Sequence, residues 1–105
     1  MEYDMMGKQV IVTKQFDRVY KGRWRRWEVC DVAPLTGWIV GFRTIYDGYM
    51  DADYGEYGEN LSGDYFVHDA HHQCVLVTFS PRQNAVRVPL DGFELAQATV
   101  INASK

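Results

Sequence analysis

The side chains best equipped for chemistry lie between residues 46 and 74. The run YDGYMDADYGEYGENLSGDY, residues 46–65, holds six Asp/Glu, five Tyr, four Gly and no Lys or Arg. Asp51, Asp53, Glu56 and Glu59 are closely spaced oxygen donors of the kind a hard cation such as calcium takes. The EF-hand order fails, however: the sixth position counted from Asp51 is Glu56 rather than Gly, and the twelfth is Ser62 rather than Glu. His68, Asp69, His71, His72 and Cys74 offer softer ligands. Their pattern, HxxHHxC, has no second half, because Cys30 is the only other thiol and a structural zinc wants four ligands in closed geometry. No metal and no cofactor is expected. Enzymatic activity is not expected either. Ser62, Ser80 and Ser104 lack a nucleophile motif, and there is no P-loop or dinucleotide fingerprint.

A second cluster is basic and aromatic. Arg23-Trp24-Arg25-Arg26-Trp27 follows Lys14, Arg18 and Lys21. Arginines can track a phosphate backbone while tryptophan stacks on a base. Alternation along a strand would put Arg23, Arg25 and Trp27 on one side and Trp24 and Arg26 on the other. Trp27 is then simplest as core, and the arginine stems can equally cover aromatic surface. A nucleic-acid surface built from Lys21, Arg23, Trp24, Arg25, Arg26 and Arg43 is one expectation.

The acidic stretch itself suggests a binding loop. DADYGEYGEN sets Tyr54 and Tyr57, Gly55 and Gly58, and Glu56 and Glu59 three apart. Tyrosine supplies contact area at little cost in side-chain entropy, and glycine keeps a loop adaptable. Carboxylates at that density would draw in a basic partner. Asp51, Asp53, Tyr54, Glu56, Tyr57 and Glu59 are therefore the expected partner-binding residues, and a solvated insert is the bland alternative.

Elements must hold these groups. At 105 residues the chain is one domain with a modest core. It is 47% hydrophobic and 14% aromatic, a globular composition with many Tyr and Trp suited to contact surfaces. Charge is segregated. Residues 1–45 carry eight Lys/Arg against five Asp/Glu, and residues 46–70 none against seven. Such halves can satisfy each other within one chain or between two copies, so a homodimer is also an expectation. The periodicity is that of strands: KQVIVTK (8–14), RWRRWEVCDV (23–32) with a change of phase near Cys30, GWIVGFRTIY (37–46), QCVLVTFS (73–80) and AVRVPL (85–90). Alternation puts Val10, Val12, Trp27, Val29, Trp38, Val40, Phe42, Val75, Val77, Phe79, Val86 and Val88 in one interior. Five short strands in this length point to a small barrel. Residues 47–70 are expected as a long loop between the third and fourth strands, and residues 96–105 as a tail with a short helical turn at most. The two cysteines, one each in strand-like runs, fit buried free thiols in a reducing compartment, with a single bridge between them the alternative. The first residues, MEYDMMGKQV, have no signal-peptide core, and no run approaches the roughly 20 apolar residues of a membrane span. A cytoplasmic protein is expected.

The order of these signals resembles an SH3-like barrel. GKQVIVTK is similar to the opening strand of such folds, a charged loop follows, and Gly37 and Gly41 in GWIVGFR bracket a strand that must bend. VRVPLDGFEL resembles their closing corner, with Pro89, Asp91 and Gly92 at the turn. The spacing is also similar to that of small proteins encoded by phages and prophages. The resemblance implies an SH3-like fold and a mobile-element origin, hence life in the host cytosol, and it carries no catalytic residues. The expected function is a non-catalytic protein-binding module. It would engage a host protein with a basic surface through its acidic Tyr-rich loop, as an inhibitor of a nucleic-acid-processing or defence complex. Nucleic-acid binding through RWRRW is the alternative.

Overall fold

The computed structural model describes residues 5–96; of Asp53 and of residues 60–62 it describes the backbone only. Residues 97–105, most of the expected tail with its short helical turn at most, lie outside the described residues. The fold is all-β, with five antiparallel strands: β1 (Gln9–Lys21), β2 (Trp24–Tyr54), β3 (Asn60–Thr78), β4 (Val86–Pro89) and β5 (Phe93–Leu95). They form one open sheet in the order β4-β3-β2-β1-β5, with β4 and β5 as its edges. Among the described residues no helix is long and apolar enough to cross a membrane.

The strands differ from expectation in length more than in place. The expected second and third strands are one 31-residue strand, β2. Its first half pairs with β1, from Lys21↔Trp24 to Gln9↔Trp38. Its second half pairs with β3, from Trp38↔Thr78 to Tyr54↔Asn60. The charged loop expected after KQVIVTK is likewise the continuation of β1, closed by a two-residue turn at Gly22-Arg23.

The acidic stretch is also not a long loop. Residues 47–54 and 60–70 belong to β2 and β3, and only residues 55–59 form the turn. The glycines and acids there weaken local strand propensity. Pairing overrides that weakness, since most of the run finds ladder partners on the facing strand, from Asp47↔Ala70 through Ala52↔Asp64 to Tyr54↔Asn60.

Straight, β2 would be about 100 Å long at the usual strand rise of ~3.3 Å per residue, whereas the longest dimension of the chain is 75 Å. It doubles back instead. The Met50 N–H donates to the carbonyl of Arg23 at 3.0 Å, so the tip of the first hairpin lies against the second hairpin. Gly37 sits at the fold. A Cβ there would stand 2.7 Å from Val77 Cγ1 and 2.8 Å from Phe79 Cδ1, so only glycine allows so close a crossing. The other corner, at Pro89–Gly92, follows the same logic. The Gly92 N–H donates to the Pro89 carbonyl, the Gly92 carbonyl accepts from Thr13 and Lys14, and a Cβ would press on Pro89 and Lys14.

The interior has two stories. One packs Val10, Val12, Ile39, Val75, Val77 and Val88, flanked by Phe42, Phe79, Val86 and Phe93. The other packs Phe16, Ile45 and Cys74, flanked by Trp27 and Leu76. Three expected core residues face out: Val29, Trp38 and Val40 are 51%, 42% and 46% exposed. For Trp38 and Val40 the cause is register. β2 carries an extra residue against β3 between Ile39 and Gly41, which reverses the inward phase, so Ile39 rather than Val40 is buried. A further irregularity spans residues 32–34 opposite Thr13, later than the change of phase expected near Cys30. Pro34, with no N–H to pair, falls in it. Replacing Ile39 with Ala should cost about 2–5 kcal/mol, and replacing Val40 with Ala within about 0.5 kcal/mol. Urea unfolding of the two variants checks the phase; equal losses would mean that the bulge is misplaced.

Candidate functional site

Folding β2 in half brings the basic hairpin tip over the acidic strand. Asp47 is the hinge of this contact and the buried acid among the described residues. Its Oδ1 accepts the Trp27 backbone N–H at 2.8 Å, and its Oδ2 lies 3.0 Å from His72 Nε2. Burial acts to raise its pKa. The hydrogen bonds with His72 and the Trp27 N–H, with the Arg26 charge nearby, outweigh burial and hold the carboxyl below its ordinary value. At the tip, Arg23 lies 3.7 Å from Asp51, and Trp24 meets Tyr49 with ring centroids 4.9 Å apart. The Arg23–Asp51 pair is mostly solvated and weak. The two oppositely charged halves of the chain thus meet internally.

The same packing opens a groove of about 270 Å³ between the hairpins. Arg18, Arg25, Arg43 and Arg87 line it, with Trp27, Tyr46, Phe66 and His68. The Arg18 guanidinium lies 4.5 Å from the Trp27 ring centre and that of Arg87 4.9 Å. Arg25 lies 5.9 Å from the Phe66 ring. Tyr46 and His68 stack nearly parallel, centroids 4.1 Å apart, and make a flat wall. Among the described residues the ion pairs are Arg23–Asp51 and His72–Asp47, so none of the four groove arginines is matched by a carboxylate. The Nε of Arg87 is buried with no hydrogen-bond partner. Arg18 gives one N–H to the Tyr20 hydroxyl at 3.1 Å, and four cations beside aromatic planes, none paired with a carboxylate, suit an anion attached to a flat ring.

The expected nucleic-acid residues divide. Arg25 and Arg43 enter the groove, joined by Arg18 and Arg87. Lys21, Trp24 and Arg26 line a different depression with Val19 and Glu28, and Arg23 sits in the turn on Asp51. The alternation expected for Arg25 and Trp27 against Trp24 and Arg26 therefore holds. Arg18 is counted with the basic cluster in the sequence but not in the expected surface. Gly22 held the signal, since a two-residue turn there pairs Arg18 directly with Trp27. Arg87 reaches the groove from β4, opposite Leu76.

The expected acidic binding residues divide too. Asp51 is half-buried beside Arg23, and its Oδ1 accepts the Ala52 N–H. Asp53 lies in β2 with its side chain outside the description. Tyr54, Glu56, Tyr57 and Glu59 are exposed at the hairpin end, where Glu59 also accepts the Tyr57 N–H at 3.1 Å. The candidate metal ligands go to other partners. His68 stacks on Tyr46, His72 meets Asp47 and the Phe16 ring, and Cys74 is in the core. No three such ligands are grouped among the described residues. Both thiols are free. The Asp17 carboxylate bonded to Cys30 raises that thiol's pKa; burial raises that of Cys74, against the pull of Arg87 and Arg43.

Comparison of the chain with protein-family models, curated proteins and solved structures finds no match. What it does must be argued from the site alone.

Asp47 gives a pH test. A carboxyl held low in the folded state adds stability above its unfolded value, and that gain is lost as pH falls through the folded value. Asp47→Asn should be about 1–3 kcal/mol less stable than the parent at neutral pH, and the gap should close as acid protonates Asp47. Urea midpoints from pH 7 downward would show it; a gap that does not change with pH would refute the role of the charge.

Proposed function

We propose that this protein is a non-catalytic binding module and that the arginine–aromatic groove takes single-stranded nucleic acid. The observation that carries this is the set of four arginines, unmatched by carboxylates, beside Trp27, Tyr46, Phe66 and His68. Phosphates would engage the guanidinium forks, and an unstacked base would lie on an exposed ring. A duplex fits less well, because its bases are not free to stack. The chain's net charge of −3 argues for contact confined to this groove rather than spread over the surface. An SH3-like barrel is the finer fold reading. Its support is the strand order β4-β3-β2-β1-β5 with a bent β2 shared by both hairpins. Small barrels of that kind serve several kinds of binding, so the fold does not choose among partners.

A second reading keeps the acidic hairpin as a protein-binding arm. The observation that favours it is the exposure of Tyr57 at 89% and Tyr54 at 61%. In a phage-encoded protein of the host cytosol that arm would engage the basic surface of a host complex and inhibit it. Pull-down from host lysate with Glu56→Gln/Glu59→Gln/Tyr57→Ser tests it; recovery of the same proteins as the parent would sink it.

The groove is tested by fluorescence anisotropy with labelled single strands of DNA and RNA of about 8–16 nucleotides, the span of one small barrel. Binding should be strongest near 50 mM salt and fall with salt by about 0.7 in log–log slope per phosphate contacted. Arg25→Ala and Arg43→Ala should each weaken binding and reduce that slope, whereas Arg82→Ala, in an exposed turn away from the groove, should not. No binding at low salt would remove this reading.

A further inference from the structure

The acidic hairpin end and the arginine groove are complementary, and they cannot meet within one chain. The groove is lined from the second half of β2 by residues 43–46, its near wall reaches Phe66 and His68, which pair with Met50 and Gly48, and the hairpin end is at residues 55–59. About five to ten strand residues separate them, roughly 17–33 Å at the usual rise. Both lie on the same β2–β3 hairpin, which has two register shifts over that length but stays paired to Tyr54↔Asn60, so the end does not fold back onto its own groove. A second copy has no such constraint. Two arms laid antiparallel about a two-fold axis would each put an end into the other's groove, and both contacts would form together.

The chemistry matches on both sides. Glu56 and Glu59 stand where phosphates would, and Tyr54 and Tyr57 supply flat rings. The groove offers unmatched guanidinium groups and the Tyr46–His68 wall. The Arg87 guanidinium lines the groove without a carboxylate partner among the described residues, so an incoming carboxylate can pair with it. The arm itself also asks for cover. Beyond Met50, where the first hairpin's tip ends its support, it has two strands, and an isolated two-stranded hairpin is marginal in water.

We propose that the chain forms a two-fold dimer by exchanging acidic arms, each arm end occupying the partner's arginine groove as a mimic of nucleic acid. The dimer is then the closed form of the groove, and a single strand and the arm compete for it. This stands whether or not nucleic acid is the groove's other ligand, since its readout is mass.

Light scattering and analytical ultracentrifugation test it. At tens of micromolar and low salt the chain should have twice its monomer mass, and 1 M salt, where screening acts within about 3 Å, should halve it. Glu56→Lys/Glu59→Lys should be monomeric at low salt, and so should Arg25→Glu/Arg43→Glu. An equimolar mixture of the two should recover the dimer mass, because every arm then faces a groove of opposite charge. That recovery also shows that both variants fold. A monomeric parent, a dimer that survives either double variant, or no recovery on mixing would each overturn the proposal. Strand binding is read separately. If strands bind, Glu56→Lys/Glu59→Lys should bind them more tightly than the parent. If none binds but the masses behave as stated, the nucleic-acid reading fails and the arm exchange stands.

Discussion

One strand, β2, serves two hairpins, and the rest of the structure follows from its folding in half at Gly37. The first half carries the basic cluster and the second half the acids. Doubling back sets RWRRW over residues 44–51 without a loop to hold them. A buried carboxylate fixes the closed pose. Asp47 accepts a backbone N–H from the opposite half and meets a histidine from β3, so three segments meet at one side chain. A buried charge is tolerated only when its oxygens are so engaged. The groove is the space left beside that contact.

The all-β class, the strand positions and the corner at Pro89–Gly92 were legible because they rest on local signals: alternation of Val with polar residues, and turn residues. Half the core was legible for the same reason, as with Val10, Val12, Val75, Val77 and Val88. The error at Ile39 and Val40 was not avoidable from period alone. A single inserted residue inverts a strand, and nothing in WIVGF marks which residue is the extra one. The acidic run was misjudged because propensity counts its glycines and aspartates against a strand, while pairing with β3 is a tertiary effect that composition does not carry.

The site was legible in kind and not in membership. Arginine beside tryptophan was plain in RWRRW, but which arginines share a side depends on the turn at Gly22 and on the edge strand β4. Arg18 and Arg87 come from there, separated by 69 positions in the sequence, as their numbers show. Charge segregation along the chain was the best clue. Its structural meaning is partial internal neutralisation, with Asp47 and Asp51 engaged, a cationic groove at one level and exposed carboxylates at the far end.

The two hairpin tips consequently differ in what they tolerate. The turn at Gly22-Arg23 is seated, its carbonyl taken by Met50 and its side chain beside Asp51. Lengthening it would pull the two halves of β2 apart. The turn at 55–59 is bonded within itself, through Gly55, Gly58 and Glu59. Extra residues or a peptide tag grafted there would leave the ladder below intact. An insertion at that end would thus separate the two roles of the arm, sparing the fold while obstructing whatever the end contacts.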